Sequence, residues 1–321
     1  MLPIRKVHTT TVKYRSKEQL FFAIASLVIL SVISILFLNR TALSNDDRVI
    51  YGEDNRIDVK DETDNLMVEL SRSTAALVLL SEIKDHETDP SVKLLPSITL
   101  KEGINVCNNE RFTNQPIAAI CSGFIVAEDI LITAGHCITT NENCEKVAFV
   151  FDYSLTTDES NPLIVKTKNI YKCAKIIERK LDPNNLNDFA VVKLDRAVDD
   201  RTPLKYRHKG RIAVGDPLTV IGHPIGLPTK IAGGAWVRSN EAEMYFTTNL
   251  DTYGGSSGSA VFNTETGVVE GILVRGENDY IYNEEEECVV SNQCPNEGCQ
   301  GEDVTRISEI IRYIENPASQ D

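Results

Sequence analysis

The stretch "LDTYGGSSGSAVF", residues 250–262, sets three serines and three glycines within a few positions of one acid, Asp251. A serine hydroxyl is a weak nucleophile until a neighbouring base takes its proton. Two patterns for such a serine overlap here. Gly254-Gly255-Ser256-Ser257-Gly258 satisfies G-x-S-x-G, which would put Ser256 on a strand-to-helix elbow with its histidine later in the chain. The five histidines are His8, His86, His136, His208 and His223, and all precede Ser256. That order excludes the elbow, and "SAVF" after the serines reads as a strand. The other pattern is Gly255-Ser256-Ser257-Gly258-Ser259, with Ser257 as nucleophile. Gly255 lets the backbone turn sharply enough for the N–H groups of Gly255 and Ser257 to face one point. There they would stabilise the oxyanion of a tetrahedral intermediate.

The base must then come from earlier in the chain. His8 precedes a long apolar segment. His86 in "KDHETDP" and His208 in "KYRHKG" lie in polar, solvated stretches, and His223 opens the turn "HPIGLP". His136 differs, because it follows the apolar run "GFIVAEDILITAG" and precedes Cys137. A strand would deliver its imidazole to the end of a core. Alone, such a histidine reads as structural; beside the serine stretch it reads as the base. Its partner should be a buried, ionised acid that accepts the Nδ1–H and fixes the tautomer. Asp188 in "NLNDFAVVKL" stands where a polar loop enters an apolar strand. Without its companions it would read as a turn-forming Asn-Asp pair.

These groups need a frame of strands to hold them. From residue 74 on, short apolar runs such as "TAALVLL", "ILITA", "KVAFVF", "FAVVKL" and "GVVEGILV" recur between Gly, Asn, Asp and Pro punctuation. Many short strands with few helical patterns indicate an all-β barrel or sandwich. The clearest helical spacing is in "DVTRISEIIRYIE", near the end. The chain has 321 residues, 42% of them apolar, and no repeat of fixed period. Its net charge of −14 excludes general nucleic-acid binding and suits either cationic partners or solubility alone.

Residues 20–38, "LFFAIASLVILSVISILFL", carry no charge and are long enough to cross a bilayer as a helix. Five basic residues precede them against one acid, which places residues 1–19 inside and everything after the span outside. The segment is expected to be an uncleaved anchor, with a cleaved signal peptide as the alternative; either exports the rest. Residues 39–72 are expected to form a tether or propeptide, ahead of a domain at 73–321. All eight cysteines lie beyond the apolar segment, and an exported chain with an even number reads as a disulfide framework. Cys288, Cys294 and Cys299 cluster, but their gaps match no common zinc pair, and neither a metal nor a cofactor is expected.

"TAGHC" (133–137), "NDFAVVKL" (187–194) and "GGSSGSAVF" (254–262) resemble the signature stretches of trypsin/chymotrypsin-fold serine proteases, closest to the bacterial V8-like glutamyl endopeptidase branch. The resemblance covers roughly residues 73–315. It implies two antiparallel six-stranded β-barrels, about 73–200 and 201–321, with the site between them and a C-terminal helix. It implies a serine endopeptidase acting on protein or peptide substrates, with His136, Asp188 and Ser257 catalytic and Gly255 and Ser257 forming the oxyanion hole. It also implies a disulfide between Cys121 and Cys137. Cys144 with Cys173 is the next pair, which leaves three pairings for Cys107, Cys288, Cys294 and Cys299.

The chain also departs from the family. Ser256 stands where animal trypsins carry the aspartate that binds a freed N-terminal amine, so "RVI" at 48–50 should not activate by that ion pair. Self-cleavage after Arg48 would instead release the domain from its tether. Leu273 stands where glutamate-specific relatives carry a histidine in the specificity pocket. Asp251, six residues before Ser257, holds the place of the acid that selects Arg or Lys, and either it reads a substrate cation or it caps nearby backbone. The acid run Glu284–Glu287 would draw in cationic substrates or simply be solvated. The rival classes are a protease-fold protein that binds without cutting and a membrane adaptor.

Overall fold

Runs of Val, Ile, Phe and Ala prefer the pleated, buried surface of a strand, and they supply the core strands of this chain. The computed structural model describes residues 49–315. Six strands, β1 (Thr74–Leu79), β2 (Cys121–Ala127), β3 (Ile130–Thr133), β4 (Val147–Phe151), β5 (Ile170–Leu181) and β6 (Asp188–Leu194), close an antiparallel barrel in the order β1-β2-β3-β6-β5-β4. Six more, β7 (Pro217–Gly222), β8 (Lys230–Ser239), β9 (Tyr245–Thr248), β10 (Ala260–Asn263), β11 (Val269–Arg275) and β12 (Glu302–Arg306), pair as β7-β10-β11-β12-β9-β8, and β7 also pairs β8 to close the ring. The two rings have the same connectivity, strand for strand, although no sequence repeat announces it. Each has an apolar core: Leu77, Leu131 and Phe149 in the first, Leu218, Val261 and Val304 in the second. A third cluster joins Phe124, Ile132 and Val191 of the first to Ile221, Phe262 and Ile272 of the second. Burial of that seam fixes the barrels against each other.

The apolar segment 20–38 and the basic segment before it lie outside the described residues. Among the described residues no helix is long and apolar enough to cross a membrane. The tether expected over 39–72 is corrected in its described part, because residues 49–72 belong to the fold. Val49, Ile50 and Tyr51 are buried, and Ile50–Tyr51 pairs in parallel with Gln293–Cys294. Arg56–Asp58 adds a seventh strand to the second sheet, beside Lys230–Ala232 of β8. Asp64 caps the helix Asn65–Ser71 by accepting the Leu66 N–H. The polar composition misleads because its charges are internally matched. Buried Arg56 pairs with Asp54 at 2.7 Å and lies over the Tyr253 ring; buried Lys230 pairs with Asp58 at 2.5 Å.

The C-terminal helix is present as Ile311–Glu315, shorter than the helical spacing of "DVTRISEIIRYIE" indicates, because Val304–Arg306 is the end of β12. Cross-strand pairing with β9 and β11 on both sides outweighs the local helical period. All eight cysteines are oxidised: Cys121–Cys137, Cys144–Cys173, Cys107–Cys288 and Cys294–Cys299. Glu284–Glu287 form the exposed turn of a hairpin between Tyr280–Asn283 and Cys288–Ser291.

Candidate active site

β3 ends at Thr133, and the chain turns through Ala134 and Gly135 to present His136. β6 begins at Asp188, directly across the barrel wall, since Ala190 pairs with Thr133. A Cβ on Gly135 would overlap the carbonyl oxygens of Lys180 and Phe189, so only glycine lets the two segments meet. The His136 Nδ1 lies 2.7 Å from Oδ2 of Asp188. Oδ1 of the same carboxylate accepts the N–H of Gly135 at 2.6 Å and that of His136 at 3.1 Å. Asp188 is 2% exposed, so its burial is offset by three hydrogen bonds. A carboxylate only accepts, so Nδ1 of His136 carries the proton and Nε2 holds the lone pair.

Ser257 reaches the same place from the second barrel. Its carbonyl accepts the N–H of Ser122, at 2.7 Å, and lies 3.7 Å from the Sγ of Cys137. The Cys121–Cys137 disulfide fixes the residue after His136 to β2. The Ser257 backbone thus lies beside Cys137, the residue that follows His136.

The turn before Ser257 is built on glycine. Gly255 sits at φ +84°, a region that favours glycine. The carbonyl of Gly254 accepts from the N–H of Ile225, so in a trans peptide the N–H of Gly255 points the opposite way. Ser122 Oγ donates to the Gly255 carbonyl at 2.8 Å and accepts the His223 N–H at 2.9 Å. Ser122 was not singled out in the sequence, though a serine inside the apolar run "ICSGFIV" was the available signal.

Residues 121–272 match the family of trypsin-like peptidase domains. These residues form a trypsin-like serine peptidase domain. No curated protein matches the sequence. Among solved structures, the VesB protease of Vibrio cholerae is similar to the peptidase at 16% identity and a TM-score of 0.49, over 85% of this chain and 68% of that one. A Glu endopeptidase aligns at 13% identity and a TM-score of 0.48, over 83% and 99% of the two chains. A serine endoprotease of Yersinia pestis aligns at 13% and 0.44, over 78% and 65%.

The specificity candidates of the peptidase fall in different places. Asp251 is buried; its Oδ1 accepts the Tyr51 N–H at 2.7 Å and its Oδ2 the Asn55 N–H at 2.8 Å. Burial pushes its carboxyl up to about 6, against those two bonds, which favour the charged form. Leu273 is fully buried. Its side chain packs in the core of the second barrel, while its backbone pairs with Gly258 and Ser259. Alternation along β11 decides this, because neighbouring side chains take opposite faces. Glu302, overlooked in the sequence, is fully buried and accepts the hydroxyl of Thr252 at 2.6 Å.

His223 opens the turn Pro224–Gly226, as its sequence indicates, and is fully buried. Its Nδ1 lies 3.0 Å from the Leu227 carbonyl, its ring stacks on Tyr153, and burial pulls its pKa down to about 3. A cavity of about 380 Å³ opens beside Val59, Arg72, Asn169 and Thr229, and none of the candidate site residues lines it.

Proposed function

We propose that this peptidase cleaves peptide bonds through an acyl-enzyme on Ser257. The Ser257 hydroxyl attacks the scissile carbonyl while Nε2 of His136 takes its proton and then passes it to the leaving amine. Asp188 holds the tautomer and stabilises the imidazolium. The N–H groups of Gly255 and Ser257 stabilise the oxyanion, and water then releases the acid product by the reverse route. The observation that carries this reading is the 2.7 Å contact between His136 and Asp188, made where Ser257 abuts Cys137.

The primary specificity is for Arg or Lys. Asp251 and Glu302 are both buried, and Glu302, at the start of β12, accepts the hydroxyl of Thr252, the residue after Asp251. Their field favours an incoming cation and repels an incoming glutamate. Fluorogenic peptides that differ only in the residue before the cut test this. Arg should exceed Glu in kcat/KM; the reverse order would overturn the specificity while leaving the hydrolysis standing. The domain works outside the cell membrane or in a periplasm, anchored by residues 20–38. Four disulfides support an oxidising compartment.

A further inference from the structure

The Gly254–Gly255 peptide carries an oxyanion donor, yet it lies between two residues that have no Cβ. A peptide so placed has the widest rotational freedom a chain allows. Rotated by half a turn, it would aim a carbonyl oxygen at the developing negative charge. Something outside the turn has to hold it.

We infer that Asp279 anchors the preceding Tyr253–Gly254 peptide, the pivot on which the donor peptide would turn, and is thereby a positioning residue for the oxyanion hole; this rests on the reading of Ser257 given above. The N–H of Gly254 donates to Oδ2 of Asp279 at 2.9 Å. The carbonyl of the same glycine accepts from Ile225 N–H. Gly254 is thus gripped at both ends, once by a carboxylate and once by backbone. The backbone grip comes from a strained residue, because Ile225 sits at φ +50° and ψ 21°, where a β-branched side chain is a rare guest. A turn held partly by strain has need of the second grip.

Asp279 is itself fixed. Its carbonyl accepts the Asn292 N–H at 2.9 Å, and the Asn292 side chain donates to the Asn278 carbonyl at 2.9 Å. The next residue, Tyr280, packs its ring 4.9 Å from that of Tyr253, just before Gly254. The hairpin that follows is bound to the first barrel's loop by Cys107–Cys288 and by Ser291 on Glu110. The carboxylate therefore approaches Gly254 from a braced segment, and a charge-assisted bond to an N–H is among the stronger ones available.

The test is steady-state kinetics on one fluorogenic peptide for wild type, Asp279→Ala and Asp279→Asn, with thermal midpoints alongside. Asparagine keeps an acceptor oxygen and alanine does not. Loss of an oxyanion donor costs about 10²–10³ in kcat, so a donor left in place but unsteadied should cost about 10–100-fold in Asp279→Ala. KM should stay within about twofold, and Asp279→Asn should recover most of kcat. A peptide aldehyde, whose hemiacetal needs the hole, should weaken against Asp279→Ala by the same factor as kcat. Asp279→Ser, too short to reach Gly254, gives the same reading if the alanine variant folds poorly. Wild-type kcat in Asp279→Ala, a change in KM alone, or an Asp279→Asn as impaired as the alanine variant would overturn the inference. Wild-type protein without Ser257-dependent hydrolysis would overturn the proposed function instead.

Discussion

The carboxylate of Asp188 serves His136 twice: Oδ2 meets Nδ1 of the ring, and Oδ1 takes the backbone N–H of the same residue. Ring and main chain are thereby set by one side chain. Asparagine in its place cannot accept at both oxygens' positions, and an amide N–H facing Nδ1 would favour the wrong tautomer. Asp188→Asn should lower kcat by about 10³–10⁴ with little change in KM. Stopped-assay kinetics beside a circular dichroism spectrum would separate this from misfolding.

The Cys121–Cys137 disulfide closes a short loop around the histidine, with a sequence separation of 16. Loop-closure entropy assigns it about 3 kcal/mol. Replacing both cysteines with serine should lower the unfolding free energy from urea titration by that amount. It should also reduce kcat, because Cys137 follows His136 and touches Ser257. A stability loss with kcat intact would show that β3 alone positions the imidazole.

His223 gives stability a defined pH dependence. Its folded value, about 3, is depressed below the ordinary 6.5, so the unfolded chain binds the proton first. Its contribution is complete above about pH 6.5 and is lost as pH falls toward 3. Asp251 has the opposite sign: raised from 3.8 to about 6, it contributes fully below about 4 and loses that contribution as pH rises through 6. Thermal midpoints of His223→Gln should fall less steeply than wild type between pH 6.5 and 4. Equal slopes would place the acid sensitivity elsewhere.

Asp251 holds the N-terminal segment against the second barrel through Tyr51 and Asn55. Hydrogen bonds to a charged group are worth about 1.5–3 kcal/mol each, so Asp251→Ala should speed amide exchange at Tyr51 and Asn55 by more than tenfold. Exchange in β3 and β6 should be unaffected. Unchanged exchange at Tyr51 would mean that the pairing with Gln293–Cys294 suffices.

The triad candidates were legible because every histidine precedes the serine stretch, and of the five only His136 both follows a long apolar run and precedes a cysteine. An all-β barrel or sandwich was legible from short strands, and the two barrels and Cys121–Cys137 from the resemblance. The remainder depended on contacts far apart in sequence. Residues 49–72 look like a polar tether until Arg56, Asp54, Lys230 and Asp58 are seen to neutralise one another. Leu273 looked like pocket lining by its position, but the pleat turns it into the core. Asp279 could not be found from sequence at all, since a loop aspartate has no local signal for a glycine 25 positions away.

The central claim is that Ser257 is an activated nucleophile, and labelling with a fluorophosphonate probe measures that directly. Only a serine whose proton is being taken by a base reacts at an appreciable rate. Wild type should label stoichiometrically at one site, mapped to Ser257, while Ser257→Ala should not label and His136→Ala should label far more slowly. Labelling that persists in Ser257→Ala, or wild-type protein inert to the probe, would contradict the account.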